Sequence, residues 1–525
     1  MKINNLVAAI VIMFSAAWLP TEASARNVIR WASQGDALTA DPHAANELTT
    51  TSAARKVYDS LVYADKDLNF IPWLATSWKL INPTTWEFKL REGVKWQDGS
   101  SFTAQDVKFS LDRARAKTSD FKKQIDSIEN VEVVSDHLAR IVTTGPNPIL
   151  PNQLTTIFMM SKAWSEKHEV AEPQDFAAKQ ETYAVRHAMG TGPFRLVKRE
   201  PGVRTVMVKN EDWWGLADYP HEVDELIYTP IANQATRVAA LLSGELDFVL
   251  DPPLQDLERI KRTPGIKLVQ TAQDRTIFLG MNQAREELLT SDVKGANPLS
   301  DRRVRLAFYQ AIDIDAIREK VMRGYSEPAG MITAPSVHGH TESLDKRHPY
   351  DLAVARKLLA EAGYPDGFSI RLDCPNNRYI NDESICQAVA GMLGKIGVKV
   401  KLSAIPKTLH FPKVKNQKTD FYMLGWGVPT LDSHYVFSYL ARESTWNATG
   451  FEDPKISGLI DEIGVQVDFA ARDKAINTVW EHMKKEVVYL PLHHQVVVWA
   501  MKDWLDVPIV ADNGVRFIYA KINKP

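Results

Sequence analysis

The chain has 525 residues, 45% of them hydrophobic, and a formal net charge of −2. That length exceeds one ordinary domain and predicts about two to four, each with enough apolar residues for a core. A charge so near neutral offers no basic field for nucleic-acid binding.

The N-terminus carries Lys2, an apolar run Leu6–Trp18 and the small-x-small triplet Ala23-Ser24-Ala25. The run has signal-peptide length and is too short to span a bilayer comfortably. The expectation is cleavage after Ala25 and a soluble mature chain from Arg26 in the periplasm; the alternative is an uncleaved anchor. No Cys lies near the cleavage site, which excludes a lipid anchor there.

Trp86, Phe88 and Leu90 alternate with Glu87, Lys89 and Arg91, the period of a half-buried strand. Glu92-Gly93 permits a reversal, Val94 and Trp96 predict a second short strand, and Asp98-Gly99 signals a turn. Thr103 stands three residues before Asp106, a variant capping box ahead of Val107 and Leu111. Residues 236–243 predict a helix ending at Gly244, followed by a strand at 246–249. Residues 353–362 predict a helix capped by Asp351 and stopped by Gly363, then a strand at 368–372. Ile385, Val389, Met392, Leu393 and Ile396 form a helical stripe, and Val398, Val400 and Leu402 alternate as a strand. Helix then strand, repeated, predicts mixed α/β lobes.

The only cysteines are Cys374 and Cys386. An oxidising compartment permits them to pair, and a loop this short is worth about 3 kcal/mol on the chain-entropy model. The alternative is a buried Cys386 and a free Cys374.

Catalytic motifs are missing. Gly190-Thr191-Gly192 runs into Pro193-Phe194 and is no dinucleotide loop, and there is no P-loop or G-x-S-x-G elbow. His338-Gly339-His340 reads as a loop, and His493-His494 lies in a strand-like stretch whose neighbours point to opposite faces. A metal site needs three or four convergent ligands. Both pairs therefore read as structural, and neither a metal nor a cofactor is expected.

Residues 86–99 follow the order W-x-F-x-L-R-x-G-V-K-W-x-D-G, and residues 102–110 read F-T-A-x-D-V-x-x-S. With Val57–Val62, Gly190–Phe194, Asn210–Gly215, Pro298–Ala307, Ala311–Asp313 and Gly425-Trp426, the chain resembles the extracytoplasmic solute-binding proteins of family 5. These are the peptide- and nickel-type receptors of bacterial ABC importers. The resemblance implies an α/β, two-lobed periplasmic binding protein of three domains with a ligand cleft between the lobes. Domain I would combine residues 26–61, 189–289 and 496–525; domain II would be the insertion 62–188; domain III would span 290–495. It implies a monomeric receptor with no enzymatic activity. Its partners would be a small solute or short peptide, permease subunits and, through them, ATPase subunits. A secreted hydrolase would need a nucleophile–base pair that the sequence does not offer.

A peptide offers an ammonium and a carboxylate, and a closed cleft must partner both. The resemblance places a carboxylate-pairing Arg near Arg378; the alternative there is an ion pair with Asp382 or Glu383. Trp426 is expected as a cleft wall or else as a core residue. Peptide receptors place an Asp three residues after this Trp, where this chain has Pro429. Asp432 either substitutes as cation partner or caps a helix starting near His434. The ligand-binding candidates are thus Trp426, Arg378 and Asp432, for a peptide or, alternatively, an opine, oligosaccharide or nickel/metal chelate.

Overall fold

The computed structural model describes residues 26–176 and 178–524. The expected leader, with Lys2, Leu6–Trp18 and Ala23-Ser24-Ala25, lies outside them. Among the described residues no helix is long and apolar enough to cross a membrane.

The strand predicted around Trp86 spans Thr85–Leu90, with Trp86, Phe88 and Leu90 buried and Lys89 exposed. It lies inside a four-stranded antiparallel sheet in the order Ala75–Asn82, Thr85–Leu90, Leu138–Thr143, Ile128–Ser135. The helix Ala104–Ala114 covers it, opened by the expected box: Thr103 Oγ1 accepts from Gln105 N and Asp106 Oδ2 accepts from Thr103 N. The expected strand at Val94–Trp96 does not form. Asp98 Oδ1 holds Ser100 N at 2.9 Å, and the loop is so tight that one bridge, Lys95 to Ser101, is all that pairs.

Val57–Val62, the segment that the resemblance matches to the family's early helix, follows the helix Leu48–Val57, which stops at Val57. Asp59 turns inward and accepts from Trp73 Nε1 (2.6 Å), Trp214 Nε1 (2.9 Å) and Thr191 Oγ1 (2.9 Å). Gly192 N donates to Val57 O at 2.9 Å, and a Cβ on Gly190 would stand 2.0 Å from that carbonyl. The close approach admits only glycine, and it brings the chain back beside its own point of departure.

Among the described residues the largest sheet has eleven strands, of which Ser326–Pro328 pairs off the main path with Tyr489–Lys502. Two of them, Ile266–Met281 and Tyr489–Lys502, run antiparallel along almost their whole length and cross from one lobe to the other. At the Ile266 and Lys502 ends the sheet continues through Phe248–Leu250, Val28–Ser33, Glu225–Pro230, Arg204–Lys209 and Phe194–Glu200. At the Met281 and Tyr489 ends it continues through Phe421–Gly427, Ser369–Pro375 and Lys399–Ile405. Midway the register slips: Ala272 faces Val496 and Thr276 faces His494, so Gln273, Asp274 and Arg275 stand opposite Gln495 alone. Such a bulge bends a strand and re-aims its side chains.

The helices predicted at 236–243, 353–362 and 385–396 are Gln234–Ser243, Leu352–Glu361 and Asp382–Gly394, each followed by a strand as expected. Cys374 and Cys386 are bonded, tying the strand Ser369–Pro375 to the helix Asp382–Gly394; the free-thiol alternative falls. Reduction is expected to lower the unfolding free energy by about 3 kcal/mol. The check is the guanidinium midpoint with and without dithiothreitol, which an inert bridge would leave unchanged.

Candidate functional site

A cavity of about 390 Å³ opens where the crossing strands bulge. One wall comes from the helix Leu48–Val57 and from Thr155-Thr156; the other comes from 425–431, Tyr435 and the loop of Arg378. The bulge supplies Gln273, Asp274 and Arg275 as the floor. Above it Asn152 Nδ2 donates to Thr430 O at 3.0 Å, joining the helix Leu150–Gln153 to the opposite wall.

Arg378 sits on the loop clamped by the disulfide. Asp382 Oδ2 accepts from Arg378 N (2.9 Å) and Tyr379 N (3.0 Å), so this carboxylate is spent on backbone and does not pair with the guanidinium. The guanidinium lies 5.2 Å from the Tyr379 ring centre. Tyr379 in turn packs on Gly425, where a Cβ would meet its ring at 2.7 Å, and its hydroxyl donates to Gly425 O. Glycine is needed there to admit the buried ring, which packs beneath the Arg378 guanidinium. Desolvation between the walls, then the like charge of Arg275, lower the pKa of Arg378. Arg275 buries an Nε with no protein partner among the described residues. Neither arginine has a carboxylate within ion-pair distance among those residues.

Trp426 is both wall and core. It lines the cavity, is 9% exposed, and packs at 5.6–6.0 Å against Tyr435, Tyr439 and Trp446. Pro429 also lines the cavity.

Asp432 is elsewhere, and its expected role as cation partner is corrected. The residue is 1% exposed and absent from the wall. Oδ1 accepts from His434 N (2.9 Å) as helix cap and from Arg472 Nη2 (2.7 Å); Oδ2 accepts from Arg472 Nη1 (2.8 Å) and faces His338 Nδ1 (3.0 Å). Both oxygens are fully engaged, so nothing remains for a ligand.

Two acids line the cavity, Asp274 and Asp512, and the one without an ion pair among the described residues is Asp274. Its carboxyl takes no hydrogen bond from another side chain among the described residues. Burial pushes it up to about 7, Asp512 adds to the shift, and Arg275 and Arg516 oppose it. Asp512 behaves differently: burial is outweighed by Arg516, at 2.7 and 2.8 Å, and by Arg55 at 3.4 Å, which hold it at about 2. Sequence reasoning missed Asp274 and Arg275, since only the slipped register turns both toward the cleft.

The sequence profile described as "Bacterial extracellular solute-binding proteins, family 5 Middle" matches residues 69–448. The glutathione-binding protein GsiB of Salmonella paratyphi A is 27% identical over 489 residues, covering 91% of this chain and 87% of that protein. The fold matches that of the periplasmic binding protein DppA from Helicobacter pylori, solved with the peptide STSA. The TM-score is 0.73 at 22% identity, over 95% of this chain and 99% of the other. It also matches NikA from Brucella suis, solved with Fe(III)-EDTA, with a TM-score of 0.81 at 23% identity over 94% and 99%.

Proposed function

The chain belongs to the bacterial extracellular solute-binding proteins of family 5, and from that membership we propose that it is the periplasmic receptor of an ABC importer for a short peptide or peptide-like solute. The observation that carries the choice of ligand is one cavity holding two arginines without carboxylate partners and one acid without a cation of its own. A ligand carboxylate suits Arg378 and Arg275, because a guanidinium fork donates two parallel bonds to it. A ligand ammonium suits Asp274, which takes over the task that Pro429 cannot perform. Trp426 supplies an apolar face between the two. The lobes pivot at the bulged strands, and the solute drives closure only by binding the closed form better than the open one. The closed receptor then docks on the permease; energy comes from the ATPases, and the receptor itself hydrolyses nothing.

Calorimetry on tag-free protein tests this with glutathione, di- and tripeptides, an opine, an oligosaccharide and a metal chelate. A peptide-class solute is expected to bind one per chain with a Kd of about micromolar or below, near −8 kcal/mol. Binding of another class with no peptide bound would overturn the assignment. That second outcome has one observation in its favour. Arg55, Arg275 and Arg378 outnumber Asp274 and Asp512 around the cavity, which suits a polyanionic chelate.

The acid also sets a pH dependence. Its pKa of about 7 means that the folded, empty receptor holds a proton on Asp274 from about pH 4, where a free Asp titrates, up to about 7. The folded chain therefore binds this proton more tightly than the unfolded one, and Asp274 lowers stability as pH rises through that window. An ammonium favours the carboxylate and expels the proton. Affinity for a free-amine peptide is thus expected to rise toward pH 7, with proton release visible in buffers of different ionisation enthalpy. Asp274→Asn should flatten the profile; a flat wild-type profile would remove Asp274 from the site.

A further inference from the structure

The two histidine pairs that read as separate in the sequence meet in the fold. His340, Asp345 and His494 each offer one ligand atom, and the three atoms lie within 4.8 Å of one another. His340 Nε2 and His494 Nε2 both stand 3.1 Å from the same oxygen, Asp345 Oδ2. We propose that these three side chains bind one divalent first-row transition ion, with zinc the best match.

The donor set fits that chemistry. Two imidazole nitrogens and one carboxylate oxygen suit zinc, with a fourth position left for water. Metal bonds of about 2.0–2.1 Å in a tetrahedron separate ligand atoms by about 3.3 Å, so only small shifts would admit the ion. The surroundings hold the ligands in place. Asp345 Oδ1 accepts from Gly330 N (2.8 Å) and Met331 N (2.9 Å), which leaves Oδ2 alone to face the rings. His494 Nδ1 lies 2.9 Å from Thr276 Oγ1, on the other crossing strand, which fixes its ring orientation. Outer partners of this kind support metal-binding histidines generally. The side chains of His340 and Asp345 are 10% and 15% exposed while that of His494 is 2% exposed, so an ion enters on the side of His340 and Asp345. None of the three lines the ligand cavity. The ion would tie the segment 340–345 to the second crossing strand, just past the bulge. This inference does not depend on the identity of the solute.

The test uses tag-free full-length protein, stripped with chelator and titrated with zinc against a chromophoric competitor. One equivalent is expected to bind, and His340→Ala is expected to weaken it more than about 100-fold, beyond the usual loss for an outer partner. Because His494 is buried, His340→Ala and Asp345→Asn are checked for folding by circular dichroism. Anomalous diffraction at the zinc edge from wild-type crystals locates the ion without any variant. Failure to bind zinc, zinc binding unchanged in His340→Ala, or an anomalous peak elsewhere would each overturn the proposal and leave a metal-free hydrogen-bonded cluster.

Discussion

Arg378→Ala is expected to weaken binding of a peptide-like solute by about 2–5 kcal/mol, the range for truncating one partner of a desolvated charge pair. The expectation follows from the loop. The disulfide and Asp382 fix the backbone, Tyr379 on Gly425 aims the side chain, and no protein carboxylate lies within ion-pair distance of it among the described residues. Free receptor should lose little stability, because the guanidinium is open to the cavity and makes no ion pair there. Calorimetry on the variant, beside an unfolding curve, separates the two effects. An unchanged affinity would take Arg378 out of the site. A peptide amidated at its C-terminus should bind the wild type as weakly as the free acid binds the variant.

Arg472→Met is expected to cost about 3–5 kcal/mol of stability, because it strands a carboxylate that is out of reach of water. Asp432 and Arg472 bury their side chains to 2% and 1% exposure and meet through two bonds of 2.7 and 2.8 Å. His338 remains as a partial partner, which keeps the loss finite. Asp432→Asn combined with Arg472→Met retains a capping side chain and removes both charges, so it should recover part of the loss. Urea unfolding of the wild type and the two variants decides. A single-variant loss no larger than that of an ordinary surface change, about 0.5 kcal/mol, would show that the pair is not a desolvated one.

Much of the architecture is legible in the residues. The alternation at 86–90, the Thr103–Asp106 box, the stop at Gly244 and the helix–strand succession from 351 to 405 are local signals, and local chemistry realises them. The cap at Asp432 is local too, since it directly precedes the helix Ser433–Leu440. What was hidden depends on pairing across the chain. Arg472 lies forty residues beyond Asp432, and no spacing rule links them. Asp274 and Arg275 reach the cleft only because Gln495 faces three residues rather than one. Val94–Trp96 has the composition of a strand, but the turn at Asp98 leaves too few residues to pair. The convergence at Asp345 unites a loop, a short helix and a crossing strand more than a hundred residues apart.

The order of strands in the large sheet has a kinetic consequence. Val28–Ser33 pairs in parallel with Glu225–Pro230 on one side and with Phe248–Leu250 on the other. Phe248–Leu250 then rests on Trp499–Met501, and Arg516 donates back to Ala64 O. Synthesis delivers Val28–Ser33 long before either of its neighbours, and the strand Tyr489–Lys502, on which Phe248–Leu250 rests, follows long after both. Sheets assembled from such distant segments fold slowly, because loop closure precedes any gain from contact. The sheet around Val28–Ser33 therefore cannot be completed until Tyr489–Lys502 has been made, so its first strand waits longest for its full set of partners.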